Sequence, residues 1–339
     1  MSNKTRIWLG IESSCDETAC AIVRSDLQVL ANPLYSQIKE HRTFGGVVPE
    51  IAARAHLEKI TPIFEESLLK AGITLQDIDA IAYTRGPGLM GPLLVGASFA
   101  QGLALDLGIP AYGVNHLEGH IAAAFISNPD LQYPFVALTV SGGHTELMLV
   151  EEGQKFTLLG RTRDDAAGEA FDKCGKLLGL GYPAGPVVSK LASEGNRKHV
   201  QFPQGLRGDD SCDFSFSGLK TSVLRYCEER TADVLQTEMT HICASLEEAI
   251  VRILVRKSEL ALKRTQAPAL VLCGGVSANR YLRAELAKAC EKKGVRFAVP
   301  DFAYCTDNGA MIAAAAVLRE KQGILEVQKE VKPWLPLAG

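Results

Sequence analysis

A strand, polar turn and returning strand occur twice in this chain, roughly half a chain apart, and this pattern limits the fold more than any other feature. Ile7 to Ile11 is an apolar run, Glu12-Ser13-Ser14-Cys15-Asp16-Glu17 a polar turn, and Thr18 to Val23 the apolar return. Phe135 to Val140, Ser141-Gly142-Gly143-His144 and Thr145 to Val150 repeat the design. Short apolar runs bounded by turn residues read as hairpin strands. Each copy is followed by more strand and then by helices. A repeat this long does not build a solenoid; it fits two similar lobes.

The segments in between alternate in the same way. Val48-Pro49-Glu50 opens a helix to about Lys70, which Pro62 is expected to kink. Ala80 to Thr84 reads as a buried strand, Arg85-Gly86-Pro87-Gly88 as a turn, and Gly91 to Leu107 as a helix of small residues. Helices follow near 167–179 and 184–194, then an irregular stretch from 196 to 216. After Asp233, Met239, Ile242, Cys243, Leu246, Ile250, Ile253 and Leu254 fall at helical period. Ala269 to Cys273 is a short strand, and Ser277-Ala278-Asn279 opens a helix behind Gly274-Gly275. Strands alternating with helices predict an α/β fold whose sheets are covered by helices.

With 339 residues, 47% of them hydrophobic, the chain has material for two cores. A net charge of −3 gives no bulk attraction to a polyanion, so a phosphate-rich partner would have to be met by a local basic patch. Nine cysteines without a C-x-x-C pair, several of them in apolar runs, fit free thiols and a reducing, cytoplasmic setting. The N-terminal residues resemble neither a signal nor a transit peptide. No apolar run is expected to span a bilayer, because the most apolar helix, 91 to 107, is interrupted by glycines, Gln101 and Asp106.

Three of the seven histidines lie between 116 and 144. His116 and His120 are four apart in a segment that reads as a helix, so both rings project from one face and can reach one metal ion. His144 stands in the second hairpin turn, as a third ligand or as a residue that orders the turn. Gly142-Gly143 after one strand, and Gly274-Gly275 between strand and helix, let backbone amides approach an anion. Neither pair matches a dinucleotide fingerprint or a P-loop. Glu12 and Asp16 are candidates to hold an ion or steer an amine, against the plainer reading of a solvated turn. Lys173 and Lys220 are candidates for phosphate or RNA. Arg252, Arg256, Lys257, Lys263 and Arg264 form a basic run along a helix, diluted by Glu247, Glu248 and Glu259. Phe214 and Phe216 alternate as in a strand and read as core.

Seven blocks are similar to the TsaD family, the tRNA adenosine threonylcarbamoyltransferases once described as O-sialoglycoprotein endopeptidases. They are Ile11 to Thr18, His116-Leu117-Glu118-Gly119-His120, Val140 to Thr145, Asp164 to Lys173, Phe214 to Lys220, Gly274 to Asn279 and Cys305-Thr306-Asp307-Asn308-Gly309-Ala310-Met311. They run in order from about residue 7 to 322, and the length resembles the bacterial type. The resemblance implies the two-lobed ASKHA fold of actin-like ATPases and sugar kinases, each lobe a mixed sheet flanked by helices. The expected lobes are 1–115 with about 322–339, and 116–321 carrying the metal and donor elements.

The resemblance also implies residue roles. His116, His120 and Asp307 match the metal ligands, with one divalent ion per subunit, Fe2+ or Zn2+. Two imidazoles and a carboxylate suit either ion and leave open positions. Thr139, Val140, Ser141, Gly142, Gly143, Asp172, Gly185 and Asn279 match the donor-binding positions. One departure is Ala184, where the family has glycine. The implied reaction moves threonylcarbamoyl from threonylcarbamoyl-AMP to the exocyclic amine of the adenosine 3′ to the anticodon, in tRNAs reading codons that begin with adenine. Glu12 is the candidate general base. Implied partners are tRNA, a paralogous scaffold subunit (TsaB) and a P-loop ATPase (TsaE), with no membrane.

Three other classes compete with this reading. A metalloprotease would carry glutamate directly after the first histidine, as H-E-x-x-H, and here that position is Leu117. An ATP-dependent kinase of the same fold would bind magnesium through oxygen ligands. A non-catalytic scaffold would have no use for the full ligand set.

Overall fold

A computed structural model describes residues 5–338 of the chain. The chain divides into two compact units, Met1–Leu131 with Pro300–Gly339, and Gln132–Val299.

In the first unit, β1 (Ile7–Glu12) and β2 (Glu17–Arg24) form the first hairpin, extended by β3 (Val29–Ala31) and β4 (Leu34–Ser36). After α1 (Ile38–Arg42) and α2 (Pro49–Ala71) come β5 (Ala80–Gly86), α3 (Met90–Leu107), β6 (Ala111–Asn115) and α4 (His116–Ser127). The sheet order is β3-β2-β1-β5-β6, with β4 also on β2; β1 pairs antiparallel with β2 and parallel with β5, which is parallel to β6. The expected kink is not a break: α2 runs as one helix through Pro62.

The second unit repeats that order. Its sheet is β11-β10-β7-β8-β9, built from β7 (Phe135–Val140), β8 (Thr145–Glu151), β9 (Lys155–Arg161), β10 (Ala269–Cys273) and β11 (Arg296–Ala298). The hairpin and third strand are antiparallel, and β10 joins β7 and β11 in parallel. Its helices are α5 (Ala167–Leu177), α6 (Gly185–Ala192), α7 (Ser217–Glu228), α8 (Ala232–Thr265) and α9 (Arg280–Glu291). The twofold hairpin pattern in the sequence thus corresponds to two mixed sheets of one topology.

The unit boundary differs from the one expected at 115/116 and 321/322. Both α4 and the last helix, α10 (Gly309–Lys321), belong to the first unit. The cause is backbone contact that only glycine permits. A Cβ on Gly309 would lie 2.6 Å from Gly10 O on β1 and from Ala21 N on β2. Ten consecutive residues of α10, Gly309 to Leu318, and ten of α4, His116 to Phe125, are buried, as expected of helices apolar on all sides.

One helix departs from the membrane expectation. Met90–Leu107 is long and apolar enough to cross a bilayer by length and composition. Here its Leu93, Gly96, Ala97, Ala100 and Ala104 are buried, and it packs on α2 and β5 as a sheet-covering helix. Beyond α10 the chain crosses the strand ends. Lys332 N donates to Arg85 O (2.8 Å), Gly88 N to Pro333 O (3.0 Å) and Asn115 Nδ2 to Leu335 O (3.0 Å).

Candidate metal centre and the glycine turns

The histidine helix starts at an N-cap, Asn115. Asn115 ends β6, and its Oδ1 accepts from Leu117 N (2.8 Å) and Glu118 N (3.4 Å), which satisfies first-turn donors. That fixes the two rings on one face, their centroids 4.7 Å apart. Asn308 caps α10 in the same manner, its Oδ1 accepting from Met311 N (3.0 Å), and this sets the preceding Asp307 opposite the histidines. Asp307 Oδ1 lies 3.6 Å from His116 Nε2 and 3.1 Å from His120 Nε2. One ligand atom from each of His116, His120 and Asp307 falls within 4.8 Å of the others, the one such group among the described residues.

Two observations fit this group to a cation. His120 is buried and neither ring nitrogen makes a hydrogen bond, Nε2 meeting only Asp307 Oδ1 in an ion-pair contact at 3.1 Å; a metal ion at that spot would give Nε2 the partner it lacks. His116 is held differently. Its Nδ1 donates to Glu12 Oε2 (3.0 Å), with Ser14 Oγ at 3.2 Å, so Nε2 is the nitrogen turned to Asp307, where a proton or a metal ion can bind it. Burial opposes a charge on His116, but the Asp307 and Glu12 carboxylates outweigh it and push its pKa up to about 9. The spot therefore favours positive charge, whether a proton or a metal ion.

Glu12 is not the solvated turn residue that the sequence suggested. It is fully buried; Oε1 accepts from Ser14 N (2.5 Å) and Oε2 from Thr84 Oγ1 (2.6 Å) as well as from His116. Burial works against its ionised form, but the neighbouring His116 draws its pKa below the ordinary value. Both oxygens are committed to holding the imidazole and the turn. Behind that turn, buried His56 on α2 lies with Nε2 3.0 Å from Cys15 O and Nδ1 2.7 Å from Thr18 Oγ1. Asp16 is half-buried.

In the second unit, the predicted donor residues join through helix starts. Gly168 N, at the start of α5, donates to Ser141 O (3.2 Å), and a Cβ on Gly168 would sit 2.9 Å from Gly142 Cα. One turn along α5, Asp172 Oδ1 accepts from Ala184 N (2.7 Å) and Gly185 N (3.2 Å) at the start of α6. Burial raises the Asp172 pKa, partly offset by those two amides. Asn279 caps α9 through Leu282 N (2.8 Å), and its Nδ2 reaches Ser189 of α6 (3.3 Å) and Glu247 (2.6 Å). Thr139, Val140 and the Asn279 amide are thus occupied internally, whereas Gly142 and Gly143 are exposed. Three helix N-termini are linked in this way, their first-turn amides named above held by Ser141, Asp172 and Asn279. The Ala184 methyl is buried, where a Cβ on Gly175 would collide with it.

The remaining candidates take ordinary roles. His144 closes the turn, its N donating to Ser141 Oγ (3.1 Å) and its O accepting from Ser141 N (2.8 Å). Lys173 pairs with Asp165 (2.6 Å) and Glu169 (2.9 Å). The basic run does not form a free cationic face. Arg252 binds Glu248 (2.6 Å), Arg256 donates to Gly205 O (2.8 Å), buried Lys257 to Asp209 O (2.9 Å) and Ser211 O (2.6 Å), and Arg264 to Asp210 O. Phe214 and Phe216 are core residues, as expected. Sequence reasoning missed Asn115, Ser14 and Thr84. Only Asn115 carried a signal, a cap residue directly before a helical pattern.

Comparison with known proteins gives the family. The family model for TsaD, tRNA N6-adenosine threonylcarbamoyltransferase, matches residues 28–314. A protein of that name from Desulfitobacterium hafniense is 48% identical over 98% of this chain and 96% of its own length. One from Clostridium perfringens is also 48% identical, over 98% of each chain. Among solved structures, T. kodakarensis HypF superposes with a TM-score of 0.64 at 13% identity, over 97% of this chain and 49% of that one. Such neighbours share the ASKHA fold, two mixed sheets flanked by helices.

Proposed function

Because the chain belongs to the TsaD family of tRNA N6-adenosine threonylcarbamoyltransferases, we propose that His116, His120 and Asp307 hold the single divalent metal of such an enzyme. The activity is transfer to N6 of a tRNA adenosine. The donor is threonylcarbamoyl-AMP, and the acceptor is the adenosine 3′ to the anticodon in tRNAs that read codons beginning with adenine. An aromatic exocyclic amine is a weak nucleophile, so the donor must be an activated anhydride with AMP as leaving group. The protein then contributes positioning and charge stabilisation.

When bound, iron(II) or zinc supplies a Lewis acid with open positions for donor oxygens. The chain's own residues do the rest. Glu12 holds His116 in the tautomer that leaves Nε2 free, the carboxylate–imidazole pairing that orients many metal ligands, and so acts as a positioning residue rather than as the base. The exposed turn Ser141-Gly142-Gly143 and the starts of α5, α6 and α9 receive the adenylate. Asp172 accepts from the ribose through Oδ2, since Oδ1 is taken by Ala184 and Gly185. Asn279 acts by holding α9 against α6.

The protease reading fails on Glu118, which faces away from the histidine pair and is bound on both oxygens by Arg319 (2.6 and 2.7 Å), so it is not available as a base. A scaffold subunit of the TsaB kind, a TsaE-type ATPase and a cytoplasmic setting complete the proposal. The observation that carries it is the buried, hydrogen-bond-deficient His120 beside His116 and Asp307.

The test pairs elemental analysis of the purified protein with assays on threonylcarbamoyl-AMP plus tRNA, casein, and ATP plus sugar. The His116→Ala/His120→Ala protein is expected to keep its circular dichroism spectrum and lose both metal and tRNA modification. Normal metal content in that variant would refute the ligand assignment.

A further inference from the structure

Two buried helices frame the ligands: α4 carries both histidines, and Asp307 directly precedes the N-cap of α10. The two helices pack on each other, and both are rich in small buried residues, Ala122, Ala123 and Ala124 on one and Ala313 to Ala316 on the other. Gly119 tightens the contact, because a Cβ there would lie 2.8 Å from Ile312 Cδ1 and 3.2 Å from Met311 Cγ. Apolar burial is non-directional, and alanines offer few interlocking ridges, so this contact alone sets the helices' separation better than their rotation.

Rotation matters here. A ring nitrogen stands roughly 6–8 Å from its helix axis, so turning α4 by about 10° moves it by about 1 Å. Metal–ligand distances tolerate only about 0.2 Å. A directional contact is needed, and one is present. Glu118, two residues from each histidine, points to the other side of α4, since two positions turn a helix by about 200°. Its side chain is 1% exposed, and its oxygens meet Arg319 of α10 in a fork, Nε to Oε1 at 2.6 Å and Nη2 to Oε2 at 2.7 Å. Bidentate guanidinium–carboxylate pairs fix orientation as well as distance.

We propose that Glu118 and Arg319 are positioning residues for the metal centre: their forked ion pair sets the rotation of α4 on α10 and hence the spacing of His116 and His120 from Asp307. The proposal rests on the metal reading above. Breaking a buried pair from one side unfolds proteins for reasons unrelated to geometry, whereas replacing both charges by apolar side chains is often neutral for stability. Glu118→Leu/Arg319→Leu therefore separates the two roles, and Arg319→Lys keeps the charge but removes the fork.

The readouts are Tm, the affinity of apo-protein for Co2+ by competition titration, and the visible spectrum of the Co2+ form. The double-leucine variant is expected to melt near the wild type, bind Co2+ about 10–100-fold more weakly, as supporting residues of metal ligands do, and give an altered spectrum. Wild-type affinity and spectrum in this variant would overturn the proposal. If the double variant does not fold, Arg319→Lys decides: weakened Co2+ binding in a folded protein supports the clamp, and unchanged binding overturns it. The His116→Ala/His120→Ala protein is the control. Undiminished Co2+ binding there refutes the metal reading itself, and the clamp with it.

Discussion

Glycines that look alike in the sequence hold different tasks, because what surrounds each one differs. The hairpin-tip pair Gly142 and Gly143 invites the idea that only glycine fits the backbone. In fact neither has a positive φ, and a Cβ on either meets nothing within 4 Å. Gly274 is the constrained one: its φ is +87°, and a Cβ would stand 2.5 Å from Val140 O. A valine at 143 adds bulk only where a ligand would lie, so Gly143→Val should shift stability by no more than about 0.5 kcal/mol. Donor affinity should fall by about tenfold or more, equivalent to about 1.4 kcal/mol. Gly274→Ala should show the opposite balance, losing on the order of 1–3 kcal/mol from backbone strain alone. Calorimetry of donor binding and Tm on the same preparations checks both, and unchanged donor affinity in a folded Gly143→Val protein would take the turn out of the binding site.

Helix α4 is held at its start, along its side and at its contact with the chain's end, and the sequence foretold only part of this. The i, i+4 spacing of His116 and His120 was readable because helical geometry is local. Asp307 was named only by resemblance, since nothing in a sequence shows that residue 307 returns to residue 116. Glu12 was legible as chemically interesting but not as buried: a run of polar residues between strands looks solvated until Thr84, Ser14 and His116 close around it. The basic stretch of α8 misled for a similar reason, because its partners are backbone carbonyls of a loop some fifty residues away. The expected lobe boundary at 115/116 fell at the visible strand-to-helix junction, whereas packing of α10 on β1 and α4 decided the actual one. Asn115 links these levels, since it caps α4 with Oδ1 and binds Leu335 O with Nδ2. Asn115→Ala should cost about 1 kcal/mol, the usual worth of such a cap. Removing residues 328–339 should leave the cap in place but loosen it, so metal affinity should fall with a smaller change in Tm. Metal titration and thermal melts on both variants test this, and wild-type metal affinity in both would show that the start of α4 needs neither support.

At the scale of the whole molecule, charge decides how tRNA can be met. The chain has 36 basic and 39 acidic residues, so no excess of cations is left to neutralise phosphates. Many of the basic groups are also occupied: Arg252 and Lys173 by carboxylates, Arg256, Lys257 and Arg264 by carbonyls, Arg319 by Glu118. Each phosphate contact a protein makes steepens the fall of affinity with salt by about 0.9 in log–log slope on duplex, less on single strands. A chain with few free cations should therefore bind tRNA weakly by itself and with a shallow salt dependence. If the proposed scaffold and ATPase subunits bring cationic surfaces, adding them should raise affinity and steepen the slope. The measurement is tRNA binding at several salt concentrations, first with the chain alone and then with both partners. Tight, steeply salt-dependent binding by the isolated chain, unchanged by the partners, would mean that its own free lysines and arginines, Lys220 among them, already form a sufficient face.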